Sequence, residues 1–464
     1  MPCDASPCFE GGLCSDGKCV GSPRLWAWSH DYANGNKDTA TAVVRDIDGG
    51  LLVGIETWTD TITFGKQRDS YALRVPASGW SGAAPPAKMP LATDANYDDA
   101  LAGMAALAGG GALAVGAKAE LLPVNGQPQR KWARYSIVQG AGSAGGDDDY
   151  LRIDGHHWFT AVARASDDTL LAVGGLDQQG LATRFFADGK PSWNLAVPPP
   201  AGGNGHLRAV AGLGPANKGA AAWVGVGQSL AGGQLYGWAV GLAHDTTKVA
   251  WSVSIKPANS YNQHGTLLAA APDGQGGVLA VGVAASYAFS YLPELPSART
   301  WWVRIAAGGI VTQQHFGEQY RTTVALLALP AGGWVAATML QPTTPAGVGS
   351  LVLVDSEARE RTASPAALPY LGGAALLPDG TLALAGQVAV QGQGDPWLAR
   401  VDRWGNTLCN LSGKCLATPD LDCADGNSCT ADWCQAGQCS HVANAVGAGC
   451  GGKGQCKGTT CENP

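Results

Sequence analysis

Seven spaced copies of one strand–turn–strand pattern, a composition rich in turn formers, and cysteines confined to the two chain ends predict an all-β protein. The expected architecture is a seven-bladed β-propeller of four-stranded blades with small disulfide-rich modules at both ends. Of 464 residues, 66 are Gly and 27 are Pro, while only 14% are charged. That balance suits many short strands joined by tight turns better than helices with solvated faces. The expected boundaries are a partial cysteine-rich segment over 1–22, the propeller over 23–408 and a cysteine-rich module over 409–464.

The repeated unit is an apolar strand, a turn of Asp and Gly, and a small-residue strand that usually ends in Val-Gly. Its copies begin at Thr39, Asp99, Phe159, Leu207, Leu267, Thr323 and Gly373. The period of roughly 48–62 residues is that of propeller blades and too long for the common helical solenoids. A third strand follows each unit, as in SYALRV, LATRFF and WWVRIA. A fourth is expected at Trp80, Trp193 and Trp251. LWAWSH (Leu25 to His30) matches a fourth strand that lacks its own first three, and the last unit, ending at PWLARV, lacks a fourth. Pairing the two would close the ring and remove the exposed sheet edges. Tryptophans at Trp132, Trp238, Trp302 and Trp397 are expected at equivalent strand positions, packing between blades.

The cysteines are Cys3, Cys8, Cys14 and Cys19 at one end and Cys409, Cys415, Cys423, Cys429, Cys434, Cys439, Cys450, Cys456 and Cys461 at the other. Short Gly-, Asp- and Asn-rich segments that cannot build a core need cross-links, which persist in oxidising surroundings. The expectation is disulfides, and hence a secreted or cell-surface protein. Zinc is disfavoured because no CxxC pair occurs. Thirteen is odd, which leaves one thiol free, joined to another chain, or missing its partner. The chain opens on MPCDASPC without a charged or apolar leader, so the same reading expects a removed signal peptide or an excerpt of a longer chain.

CFEGGLCSDGKC (Cys8 to Cys19) and CGGKGQCKGTTC (Cys450 to Cys461) share their cysteine spacing, which suggests self-association or tandem repetition through the ends. CADGNSCTADWCQAGQCSH (Cys423 to His441) resembles the CxDGNxCTxDxCxxGxCxH modules of secreted proteins from myxobacteria and related bacteria. SPCFEGGLC resembles the first half of an EGF-like module. The repeats resemble secreted bacterial seven-bladed propeller repeat proteins, a resemblance that implies a fold and no activity.

The net charge of −7 and the absence of a Lys/Arg run exclude the electrostatic footprint of a nucleic-acid binder. No apolar run reaches the roughly 18–20 residues of a membrane span. HExxH, phosphate-loop and GxSxG motifs are absent. The residues expected to bind a ligand are His157, His206, His264, Tyr320 and Tyr370, which stand near the start of innermost strands, where propeller loops converge; Asp99 falls near the same place. The alternative for each histidine is a hydrogen bond to a neighbouring turn. Calcium is the one cofactor the residues suggest, at Asp422, Asp425, Asn427 and Asp432 or at the run Asp147, Asp148, Asp149 and Asp154.

The leading expectation is a non-enzymatic extracellular binding or structural protein whose partner is a protein or glycan at the cell surface. The alternatives are a secreted hydrolase or lyase acting on polysaccharide or peptide in the channel, and a subunit of a tandem or self-assembling fibre.

Overall fold

In the computed structural model, residues 37–401 are described apart from the connections 62–64, 77–87, 93–96, 121–130, 140–141, 147–153, 214–220, 259–263, 287–297, 341–347, 364–367 and a few stretches of one or two residues. Outside that span only short strands are described.

The sequence folds into seven four-stranded antiparallel blades arranged as a β-propeller. Blade 1 comprises Lys37–Arg45, Leu51–Thr61, Gly65–Val75 and Met89–Ala92. The later blades begin with the strands Tyr97–Ala106, His157–Arg164, Asn204–Gly212, His264–Pro272, Arg321–Ala328 and Tyr370–Leu376. These seven first strands are the innermost ones, each touching the first strand of the next blade until the ring closes from blade 7 to blade 1. Trp26–Ser29 is the fourth strand of blade 7, beside Gln393–Val401.

Alternation puts Val, Leu and Ala on both faces of the middle strands, as burial between two neighbouring blades requires. Leu170–Leu176 and Val278–Ala285 read as nearly continuous apolar runs for this reason. The core is a series of blade-to-blade seams, such as the one joining Val226, Leu267, Val278 and Trp301. Turns leaving the inner strands use residues that tolerate a positive φ: Gly49 takes 84° and Asp168 takes 68°. Asp46 reaches from the first of these turns to blade 2, where its Oδ1 accepts from the Gly111 amide at 2.9 Å.

In blades 1 to 6 the inner-strand ladder slips by one residue at the same place. The extra residue is Thr41, Ala102, Thr160, Arg208, Leu268 and Val324 in blades 1 to 6. The residue before it is apolar in five of these blades and faces the glycine of the Val-Gly motif in blades 2 to 5, as in Phe159 with Gly174 and Leu267 with Gly282. A Cβ on Gly116, Gly174, Gly227, Gly282 or Gly386 would overlap the inner-strand carbonyl that precedes this residue. The motif is therefore a record of close backbone approach at a β-bulge.

The register corrects two sequence expectations. The fourth strand of blade 1 is Met89–Ala92, paired with Ser70, Tyr71 and Ala72, and Trp80 lies outside the described residues. The tryptophans at equivalent third-strand positions are Trp238, opposite Gly227, and Trp301, opposite Gly282; Trp132 faces Lys118 and Trp302 faces Val281. Sequence spacing missed this because bulges and unequal loops shift the count.

At the chain ends, Leu13–Ser15 pairs with Lys18–Val20, Thr430–Gln435 with Gln438–Ala443, and Gly454–Lys457 with Thr460–Glu462. Their backbone registers set Cys14 opposite Cys19, Cys434 opposite Cys439 and Cys456 opposite Cys461. The expected calcium ligands Asp422, Asp425 and Asn427, the side chain of Asp432 and the run 147–149 lie outside the described residues. Among the described residues no helix is long and apolar enough to cross a membrane.

Deleting residues 1–30 removes the fourth strand of blade 7 and should lower the thermal midpoint sharply, whereas deleting residues 1–20 should change it little. Scanning calorimetry checks this, and equal shifts would count against a closing role for Trp26–Ser29.

Candidate functional site

The bulge gives a common frame for the rim where the inner strands begin. Counting back from the residue before the bulge, the position two earlier holds Asp38, Asp99, His157, Gly205, Gly265 and Arg321 in blades 1 to 6. Asp38, Asp99 and His157 are almost wholly buried there. In blades 2 and 6 the side chain at this position finds its partner on the third strand of the same blade. Arg134 donates to Asp99 Oδ1 at 3.0 Å in blade 2, and Arg321 donates to Ser350 Oγ at 2.8 Å in blade 6. In blades 4 and 5 the third-strand residue is Trp238 or Trp301, whose indole fills the space beside Gly205 or Gly265. In blade 1 Lys88 sits 3.2 Å from Asp38 and over the Tyr71 ring at 5.0 Å. Polar pair or glycine–tryptophan pair, each solution fills one buried slot.

One position later the side chains turn to the other side of the strand. This position holds Thr39, Ala100, Trp158, His206, Thr266, Thr322 and Tyr370, and Tyr370 is 46% exposed. Second-strand residues one or two places beyond the motif glycine stitch the next blade here. Glu56 accepts from the Leu101 amide at 2.9 Å, Gln228 from Thr266 Oγ1 at 3.0 Å, and Gln387 from Thr39 Oγ1 at 3.2 Å.

The structure thus places the three expected histidines at three different positions of the frame. His157 is fully buried, and its Nδ1–H donates to the Gly155 carbonyl at 2.9 Å. His264 stands at the strand start, with Nδ1 accepting from the Leu235 amide of blade 4 at 3.1 Å. His206 is half-buried, with its ring 6.1 Å from that of Trp158 at a 58° tilt. Desolvation, with Arg208 adding repulsion, pushes its pKa down to about 4. Desolvation also lowers His264. Both imidazoles are therefore neutral near pH 7. Tyr320 hydrogen-bonds Thr322 at 3.2 Å and packs beside Val283 and Ala285, whereas Tyr370 opens to solvent. The structure brings His206 and Trp158 together; it sets His157 apart as a buried group.

Around blades 1 and 2 the rim is acidic. Arg68 grips Asp98 at 2.9 and 2.6 Å and lies 3.7 Å from Glu56. Burial raises the carboxyl pKa of Glu56 against the pull of Arg68. Burial and then the charge of Asp99 raise that of Asp69, against the pull of Lys88. Among the described residues no three His, Cys, Asp or Glu side chains form a metal-holding group. Sequence reading missed Arg208, the bulge residue of blade 4, because nothing in a linear pattern marks a bulge. It also missed the seam on the opposite face where His244 stacks on Trp223 at 5.6 Å and binds Asp167 of blade 3.

No family model matches the chain, and no curated protein matches it. Similar solved structures include a protein of unknown function from Dyadobacter fermentans, at 12% identity, TM-score 0.43, over 82% of this chain and 99% of that one. The polysaccharide lyase Uly1 is 10% identical, with TM-score 0.46 over 87% of this chain and 95% of that one. A NanB sialidase variant from Streptococcus pneumoniae is 10% identical, with TM-score 0.41 over 82% and 71%.

Two outcomes follow. A Cβ at Gly265 would meet the Trp301 ring at 2.5 Å, so Gly265→Ala should destabilise by about 1–3 kcal/mol. In a Trp301→Leu background that cost should shrink, a coupling read by urea denaturation of the double-mutant cycle. For His206, the folded pKa lies below the unfolded value, so the unfolded chain binds more protons between about pH 4 and 6.5. Stability should therefore fall as pH drops through that window, and His206→Gln should remove this part of the slope in denaturant midpoints measured at stepwise pH.

Proposed function

We propose that the protein is a non-enzymatic binding platform acting outside the cytoplasm, with its recognition surface on the rim where the inner strands begin. The observation that carries this is the division of labour along those strands. Most of the rim's ionised groups, Asp38, Asp98, Asp99, Arg68 and Arg134, are held in ion pairs. Beside them stand partly or fully exposed side chains that are aromatic or neutral imidazole: Trp158, His206 and Tyr370. Such groups offer contact area and hydrogen bonds at low entropic cost, and a ring of loops on a rigid scaffold is where recognition concentrates. The cysteine-rich ends fit an oxidising compartment, which supports the extracellular setting.

A second reading, a secreted hydrolase or lyase, draws on Glu56 and Asp69, since carboxyls with raised pKa serve as general acids. Glu56 is occupied by the Leu101 amide, and this leaves Asp69 to carry that reading.

Arrays of glycans and of bacterial surface proteins test the platform. A His206→Gln, Tyr370→Ala double variant should lose about tenfold or more in affinity for any ligand the wild type selects. An Ile47→Ser, Ile310→Ser variant, altered on exposed turns of the opposite face, should bind normally. The reverse pattern would move recognition to the other face. Turnover of an array glycan that Asp69→Asn abolishes would replace the platform with the enzyme.

A further inference from the structure

The bulge residues encircle the propeller axis. Thr160 of blade 3 donates to the Leu207 carbonyl of blade 4 at 2.9 Å, and a Cβ on Gly372 of blade 7 would meet Thr41 of blade 1. Around this ring stand Thr41, Ala102, Thr160, Arg208, Leu268, Val324 and, by its place after Leu371, Gly372. Arg208 is the one charged member. It is exposed, and among the described residues it has no carboxylate partner; its Nη2 makes only a long 3.5 Å contact to Gln228 Oε1. Yet desolvation lowers its pKa. A side chain that is open to water and still desolvated stands in a recess walled by protein, as a channel residue does. Neighbouring ion pairs make the contrast plain, since Arg68, Arg74, Arg134, Arg164 and Arg304 each lie within ion-pair distance of an aspartate.

A guanidinium without a counter-charge beside it is a site for an incoming oxyanion, because its fork matches a carboxylate. Beside it lie the His206 imidazole, Gln228, the Thr266 hydroxyl and the Trp158 ring. Neutral hydrogen-bonding groups and an open aromatic face next to a single cation suit a sugar ring that bears a carboxylate better than a peptide with several charges. We propose that Arg208 is the anchor of a subsite in the channel that binds the carboxylate of an acidic glycan, with Trp158 and His206 contacting the sugar ring. This names a ligand class for the rim surface of the preceding section and rests on that reading.

The test uses the full chain with oligogalacturonate, its methyl-esterified neutral form, an oligoglutamate peptide and sodium acetate as probes. Oligogalacturonate should slow the modification of Arg208 by phenylglyoxal, mapped by mass spectrometry, while the esterified form should not. Arg208→Gln should weaken oligogalacturonate binding about tenfold or more by calorimetry, with an unchanged thermal midpoint, and Arg208→Lys should recover part of it. No protection, or equal binding by Arg208→Gln, overturns the subsite. Protection by oligoglutamate alone, or equally by acetate, overturns the glycan. If Tyr370→Ala lowers binding of an array ligand while Arg208→Gln does not, the rim reading stands and this inference falls.

Discussion

One extra residue in the inner strands of blades 1 to 6 governs the rest of the molecule. A bulge lets the strand twist sharply where the blades converge, and it brings the inner backbone so close to the second strand that in five blades only glycine fits opposite. The same slip fixes which side chains fall into the buried slot and which turn outward. Without the slip in blade 4, the pairing on one side of it would shift by one residue and that segment would exchange its two faces. The seams through Glu56, Gln228 and Gln387 depend on that register too, because each reaches the inner strand of the following blade.

The buried slot shows how a repeat tolerates chemical variety. Volume has to be filled in every blade, and the fold accepts Asp with Arg, Arg with Ser, or Gly with Trp. The charged solutions are costly to desolvate, so each keeps its partner within hydrogen-bond distance. Replacing one partner alone strands a buried charge, whereas replacing both with apolar groups of similar volume is the milder change.

Much of the architecture was legible in the chain. The Val-Gly endings, the Asp/Gly turns and the orphan strand around Trp26 announced seven blades closed by the N-terminal strand, since local periodicity and turn chemistry are properties of short segments. The site was legible only in part. His157, His206 and His264 look alike in spacing, yet one is buried on a turn carbonyl, one caps a neighbouring hairpin and one is left open beside Trp158. Tryptophan equivalence failed for the same reason, with Trp301 and not Trp302 matching Trp238.

By itself the sequence determined strand content, repeat number and the concentration of cysteines at the ends, because each is set by residue type and short-range pattern. Tertiary structure alone decided which polar residues are spent inside the blades and which stay exposed. Arg208 is the clearest case: a single arginine in an alternating strand carries no linear mark. Among the described residues it stands without a carboxylate partner because the other inner strands bring Thr, Ala, Leu, Val and Gly to the matching places.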